Sequence, residues 1–401
     1  MSVRILAAVL LTGWCCCQVA PAAVTFEFNY DHDLAGFFDD PATREILELA
    51  ADSVVRSIDV LEPIVPDLSA GNSWTGVVPL PDLTTGFFQN LVVPEDTIIV
   101  YVGGLDFAVN TLALTQKTSA INIEGSPAWE STVTARGQAG AAQPPLVEDT
   151  DYGPWGASII FYTQHDWHIG KTTDGLAGKF DFLSVAMHEL AHVLGVGPAH
   201  SWKDRIVDGK FTGPEAVAVS SPSNPDLDLH SDGAHFLEDT DSFVSGVLQT
   251  AAMDPFFDLG ERKLFTDLDF ATLQDIGWQP GAYGDTDRDG DVDTTDISLI
   301  LGSLSFENGI GFGWSEGDMD GDLDVDTTDI SLILSTNLFS TGPYTSLPGG
   351  GFAASSSPTA FLTSTLSIIV PEPSSLMILL TGLAGLALTG LGGRARARRR
   401  R

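Results

Sequence analysis

Residues 180–197 read FDFLSVAMHELAHVLGVG, and the pentad His188-Glu189-Leu190-Ala191-His192 inside them decides how the chain is to be read. The run is apolar and helix-compatible up to Gly195. Residues four apart stack on one face of an α-helix. His188 and His192 can therefore direct their imidazoles at one Zn2+, with Glu189 beside the water that such an ion activates. Zinc lowers the pKa of that water to about 7, and the carboxylate accepts its proton as hydroxide attacks a polarised carbonyl. The alternative is a helix with two accidental histidines. A chance HExxH should occur in roughly one chain per hundred or fewer at this low histidine content.

Outward from this helix, residues 24–280 have mixed composition and sufficient length for one sizeable domain. VTFEFNY (24–30) alternates like a strand, and Pro41 to Leu61 carries apolar residues at helical spacing with Asp39 or Asp40 as cap. TIIVYVGG (97–104) and ASIIFYT (157–163) read as strands, and the metal helix starts at about Phe182. This order predicts an α/β sandwich with the metal on its second helix. Residues 137–145 should form an exposed loop, 201–262 should be mostly loop, and a last helix should run from Asp267 to Gly277. His165 and His168, beside Trp167, either line a cleft or cover the core.

Two histidines leave a catalytic site incomplete, because a third protein ligand is needed with one position left open. Pro198 stands where a HExxHxxGxxH pattern would place it and cannot ligate. His200 is the near alternative, and His235 in SDGAHFLED the distant one, followed by Met253 in TAAMDP. HELAHVLG, a long insertion, Gly-x-His, Met-x-Pro and a helix ending DIGW resemble leishmanolysin-type metallopeptidases of the metzincin class over residues 180–280. That resemblance implies an α+β fold: a twisted sheet with an active-site helix, then a largely irregular C-terminal subdomain. It also implies one catalytic zinc on His188, His192 and His235, Glu189 as general base, and Met253 in a supporting Met-turn. Gly195 would permit the sharp turn off the helix. The family's disulfides and cysteine switch have no counterpart, and no tyrosine that would steady an oxyanion can be identified.

DTDRDGDVDTTDISLIL (285–301) and DMDGDLDVDTTDISLIL (318–334) form a repeat. Alternating aspartates at loop positions 1, 3, 5, 9 and 12 supply oxygen ligands for Ca2+, with position 7 contributing its backbone carbonyl. The first set is Asp285, Asp287, Asp289, Asp293 and Asp296, with Asp291 in the backbone role. The second is Asp318, Asp320, Asp322, Asp326 and Asp329, with Asp324. Gly290 holds the sharp-turn sixth position, where the second loop has Leu323, so the second of up to two calcium sites should be the weaker. Doubled loops without an incoming helix, each running into an amphipathic helix, resemble a type I dockerin at 281–340, a small all-α module. The resemblance implies that Thr294, Thr295, Thr327 and Thr328 face a cohesin-like partner, in two modes related by two-fold symmetry.

The ends read as export signals. Residues 1–23 carry Arg4, an apolar core and small residues, as a secretory leader does. Cys15, Cys16 and Cys17 all lie within it, so the mature chain should lack cysteine. A Ser/Pro/Gly-rich linker (341–369) precedes Pro371-Glu372-Pro373, an apolar run marginal for a membrane span, and six arginines. Residues 370–401 thereby resemble a PEP-CTERM sorting signal. This implies processing by an exosortase-type transpeptidase, transient membrane anchoring and a cell-surface or extracellular destination. Without Arg4, the six arginines and Glu372, 12 of 19 basic and 53 of 54 acidic residues remain, a balance of about −41. Such a surface repels nucleic acid and anionic membranes.

The expectation is an exported zinc endopeptidase acting on proteins or peptides bound beside an edge strand. The alternatives are a non-catalytic surface adhesion or scaffold protein, and a dockerin-borne component of a polysaccharide-degrading assembly. Glu189 speaks against the first alternative, since a structural zinc site has no use for it.

Overall fold

The computed structural model describes residues 23–141 and 148–344. The expected leader (1–23), apart from Ala23, and the expected sorting signal (370–401) lie outside these residues, as does most of the expected linker. Among the described residues no helix is long and apolar enough to cross a membrane.

Strand β1 (Thr25–Asn29) leads to helix α1 (Pro41–Val54), whose cap Asp40 accepts the amide of Ala42 while Pro41 takes the first helical position. The helix ends at Val54 and not at Leu61. Beyond it the backbone of Arg56 and Ile58 bonds to Gly281 and Gln279, and Ser57 and Asp59 bond to each other. Distant partners thus override the helical spacing.

Strands β2 (Ser73–Pro79), β3 (Thr85–Gln89), β4 (Thr97–Leu105), β5 (Ala113–Lys117) and β6 (Ser119–Glu124) precede helix α2 (Pro127–Ala135) and strand β7 (Gly156–Tyr162). One sheet has the order β1-β4-β7-β5, with β1, β4 and β7 parallel and β5 antiparallel at its edge. A second, antiparallel sheet has the order β3-β2-β6. Strand β4 explains the uninterrupted apolar run at 97–104: both of its faces are covered. Ile98, Val100 and Val102 join the core that includes α1 and helix α3 (Phe182–Val193), whereas Ile99 and Tyr101 pack with Trp74, Trp129 and Trp155 on the other side. Side chains alternate across a strand, so a strand covered on both faces loses the polar half of its pattern. Each such aliphatic side chain contributes about 1.5–3 kcal/mol on burial.

The short pair β8 (Trp167–His168) and β9 (Phe180–Asp181) stands before α3, which among the described residues is the third α-helix and not the second. Asp181 caps α3 through Ser184 and receives the guanidinium fork of Arg262, which ties the residues just ahead of 267–275 to the start of α3. Residues 201–262 are mostly irregular, as expected. They carry helices α4 (His200–Lys203) and α5 (Pro214–Ala218) and two small hairpins, β10 (Ile206–Val207) with β11 (Lys210–Phe211) and β12 (Asp241–Val244) with β13 (Val247–Thr250). Helix α6 (Asp267–Asp275) follows. The 137–145 loop is less exposed than expected where it is described, since Gln138 and Ala141 are buried. The architecture is mixed α/β with several small sheets, compatible with an α+β class.

The repeats form helices α7 (Thr294–Ser303) and α8 (Thr327–Thr336) around a small core of Val292, Ile300, Trp314, Met319, Val325 and Ile333. No helix enters the first loop, and a single 3-10 turn (Trp314–Glu316) precedes the second.

Candidate functional site

Helix α3 is buried along nearly its whole length, and its last two turns bring His188 and His192 together with His235 from the irregular segment. The Nε2 atoms of His188 and His192 each lie 3.1 Å from Nε2 of His235. The three Nδ1 atoms are already committed. His188 Nδ1 donates to the Ala252 carbonyl at 2.7 Å, His192 Nδ1 to the Val196 carbonyl at 2.6 Å and His235 Nδ1 to Asp232 Oδ2 at 2.9 Å. With each Nδ1 carrying its hydrogen, three lone pairs converge with no donor among them. A cation resolves that conflict. Zinc–nitrogen bonds of about 2.0–2.1 Å in a tetrahedron separate ligand nitrogens by about 3.3 Å, close to what the rings provide. Burial, then the neighbouring imidazoles His192 and His235, hold His188 well below the ordinary histidine pKa. Burial and His235 take His192 down to about 4. Both rings are thus neutral and able to ligate.

Glu189 is buried beside them, and burial pushes its carboxyl up to about 7. Hydrogen bonding from Thr115 of the edge strand pulls it back, with Oγ1 2.7 Å from Oε2; the same hydroxyl lies 3.1 Å from the Glu189 carbonyl. Strand β5, one of the two edge strands of the sheet, therefore runs against Glu189. Gly195 leaves the helix at φ +111°, and a Cβ there would lie 2.7 Å from the Tyr152 ring. The glycine is required twice, by conformation and by space.

Met253 is fully buried in the turn whose Ala252 carbonyl binds His188. Asp269, buried in the first turn of α6, fixes that turn by accepting the amides of Ala252 (2.9 Å) and Met253 (3.1 Å), as well as Thr266 N (2.8 Å) and Oγ1 (2.6 Å). Asp269, Thr115 and Asp232 went unnoticed in the sequence. Asp232 alone had a signal, three residues before His235, where a carboxylate can orient a ligating imidazole. It also accepts from His230 Nδ1 at 2.9 Å. Burial would raise the Asp232 pKa, but donation from Ala234 N, His230 and His235 outweighs it and brings the group to about 2. The near alternative His200 is exposed at the start of α4, and the third imidazole of the cluster is His235. His165 and His168 bond to the carbonyls of Thr111 and Thr172 and act as cover.

In the repeats, Asp285, Asp287 and Asp289 converge, as do Asp291, Asp293 and Asp296, and Asp318, Asp320 and Asp322. At position 3 of both loops one oxygen, Asp287 Oδ1 and Asp320 Oδ1, is buried without a hydrogen-bond partner, and Asp324 Oδ1 is a third such atom. Buried acceptors without donors fit a cation. The first-position acids accept the sixth-position amides, Asp285 from Gly290 (3.1 Å) and Asp318 from Leu323 (3.0 Å), so Leu323 does occupy the glycine position. Each loop has two left-handed residues at equivalent places: Arg288 (φ +58°) and Gly290 (+84°), Gly321 (+81°) and Leu323 (+73°). A non-glycine residue in that region costs about 1–2 kcal/mol. Asp326 and Asp329 close the second loop as a capping box on α8, as Asp293 and Asp296 do on α7. Thr294, Thr295, Thr327 and Thr328 are exposed at the helix starts.

Comparison with protein-family models, curated proteins and solved structures found no match.

Proposed function

We propose that the protein is a zinc-dependent endopeptidase with a calcium-binding module. The observation that carries this reading is the convergence of three Nε2 lone pairs whose Nδ1 hydrogens are all engaged, with a buried carboxylate on the neighbouring residue of the same helix. His188, His192 and His235 would hold the ion. Zinc so held supplies a Lewis acid for a scissile carbonyl and acidifies water to a pKa of about 7. Glu189, buried beside the three imidazoles and raised by that burial in the metal-free site, would take a proton at Oε and hand it to a leaving amine. Thr115 holds that carboxylate in place from β5, and an extended substrate would pair with the same strand. Helix α3 and the buried turn at Met253 keep the imidazoles from reorienting.

Asp285, Asp287, Asp289, Asp291, Asp293 and Asp296 would hold one calcium ion, and Asp318, Asp320, Asp322, Asp324, Asp326 and Asp329 a second. The exposed helix starts suit a cohesin-like partner, and the two terminal segments suit export and surface sorting.

The test is hydrolysis of casein or a quenched peptide by the zinc-loaded protein, with and without chelator, alongside Glu189→Gln. Activity should vanish with chelator and return with zinc, and Glu189→Gln should retain zinc while losing turnover. Hydrolysis that persists in that variant removes the peptidase reading.

A further inference from the structure

The two loops exchange their glycines. At the fourth position the first loop has Arg288 and the second Gly321; at the sixth, the first has Gly290 and the second Leu323. Each loop thus places one side chain where glycine would be easier, and both of these side chains leave the module. Arg288 is buried and its guanidinium meets Asp52 of α1 at 2.7 Å. Leu323, only 2% exposed, belongs to the main core with α1, α3 and α6, not to the module's own core.

The remaining contacts agree. Arg56, 5% exposed, lies over Phe270 of α6 and Trp314 of the module, and donates to the Met319 carbonyl of the second loop. A Cβ at Gly321 would sit 2.5 Å from its Nη2, which is why the glycine of the second loop is at the fourth position. Asp52 also receives the amide and hydroxyl of Ser315.

One contact reaches toward the zinc centre. Ser245, at the tip of the β12–β13 hairpin, donates to Asp320 Oδ2 at 2.7 Å, leaving Oδ1 as the buried orphan. The base of the same hairpin continues into Ala251, bonded to Thr240, and then Ala252, whose carbonyl holds His188.

We infer that the calcium module is an intramolecular brace, anchored by Arg288 and Leu323, through which cation binding at the second loop stiffens the hairpin that positions His188. This rests on the zinc and calcium reading above but makes its own demand: what happens at the second loop must be felt at the imidazoles.

The test uses the full chain loaded with zinc. Zinc release to a chromophoric chelator is timed with and without calcium, and unfolding is followed by calorimetry. Calcium should slow release about tenfold, the scale on which groups behind a ligand act. Ser245→Ala should bind calcium, followed by terbium luminescence, and lose that slowing. The double variant Arg288→Gly/Leu323→Gly relaxes both left-handed positions; it should split one unfolding transition into two and also lose the slowing. Calcium-independent zinc release in the natural chain overturns the inference, as does a single transition in the double variant. If no zinc binds at all, the peptidase reading fails first, and the unfolding arm still decides whether the module is a brace.

Discussion

Asp269→Asn isolates the support of the Ala252–Met253 turn from the proposed metal ligands. Three of the four hydrogen bonds to Asp269 end on Oδ2 and one, from Met253 N, on Oδ1. The asparagine oxygen best replaces Oδ2, which turns the new amide group toward the Met253 N–H. Two buried donors then face each other, at about 1–3 kcal/mol for each group left unsatisfied. Part of this is returned. Burial raises the Asp269 pKa in spite of its four donors, so a neutral side chain escapes a desolvation cost that the carboxylate bears. The net loss should be about 2 kcal/mol, or about 4–8 °C in melting temperature for a unit of this size. The second consequence is specific to the site. The Ala252 peptide that Asp269 fixes also accepts His188 Nδ1–H, so zinc affinity should fall about tenfold. Melting curves with zinc and with chelator, together with competition against a chromophoric chelator, measure both. A variant with natural zinc affinity and an unchanged melting temperature would refute the reasoning, and one that only melts earlier would confine Asp269 to a structural role.

Thr115→Val removes the hydroxyl from Glu189 and should lower kcat about tenfold with KM little changed, whereas Thr115→Ser should keep most activity; peptide-cleavage kinetics decide. Gly195→Ala combines a φ of +111° with a clash against Tyr152 and should cost about 2 kcal/mol or more, read from denaturant midpoints in the chelated protein. Calcium binding should weaken as pH falls from 8 to 6. Burial, then Asp296 and Asp289, raise Asp285 to about 7, while burial and Asp320 do the same for Asp329. For a carboxyl raised in this way, the stabilisation of the calcium-free fold is full below the unfolded value and is lost as pH rises through about 7. Calcium must displace those protons, so calorimetry in buffers of different ionisation heat should detect proton release near pH 7 and little at pH 8.5.

What could be read in advance was the grouping of side chains with a fixed local geometry. His188, Glu189 and His192 share a helix turn, and each aspartate ladder closes on itself within one loop, so sequence distance and spatial distance coincide. His235 was reachable because Gly233 stands two residues before it and Met253 follows in a recognisable order. The second sheet was missed. Strand β3 is only five residues long, and β2 and β6 meet through a shifted register between Ser73 and Thr75, so neither offers a clean period of two. Helix α1 was overextended because Val54, Val55 and Ile58 keep a helical rhythm, while the partners that pull the chain out of it lie more than 200 residues away.

Leu323 shows why the aspartate repeats were half legible. Compared only with Gly290, it reads as a defect in a metal loop, and the conclusion of a weaker site follows. Set beside Arg288, it becomes one member of a pair, since both loops accept a left-handed side chain and both send it into the neighbouring domain. The local rule that glycine belongs at positive φ is broken where a distant contact offsets the strain. No property of the pentad sequence Asp-Leu-Asp-Val-Asp announces that contact, because Arg56, Phe270 and Asp52, which surround the module, are spread over more than 200 positions of the chain. Two departures from the rule at non-equivalent positions of a repeat, both made by buried side chains, therefore point to an interface and not to decay.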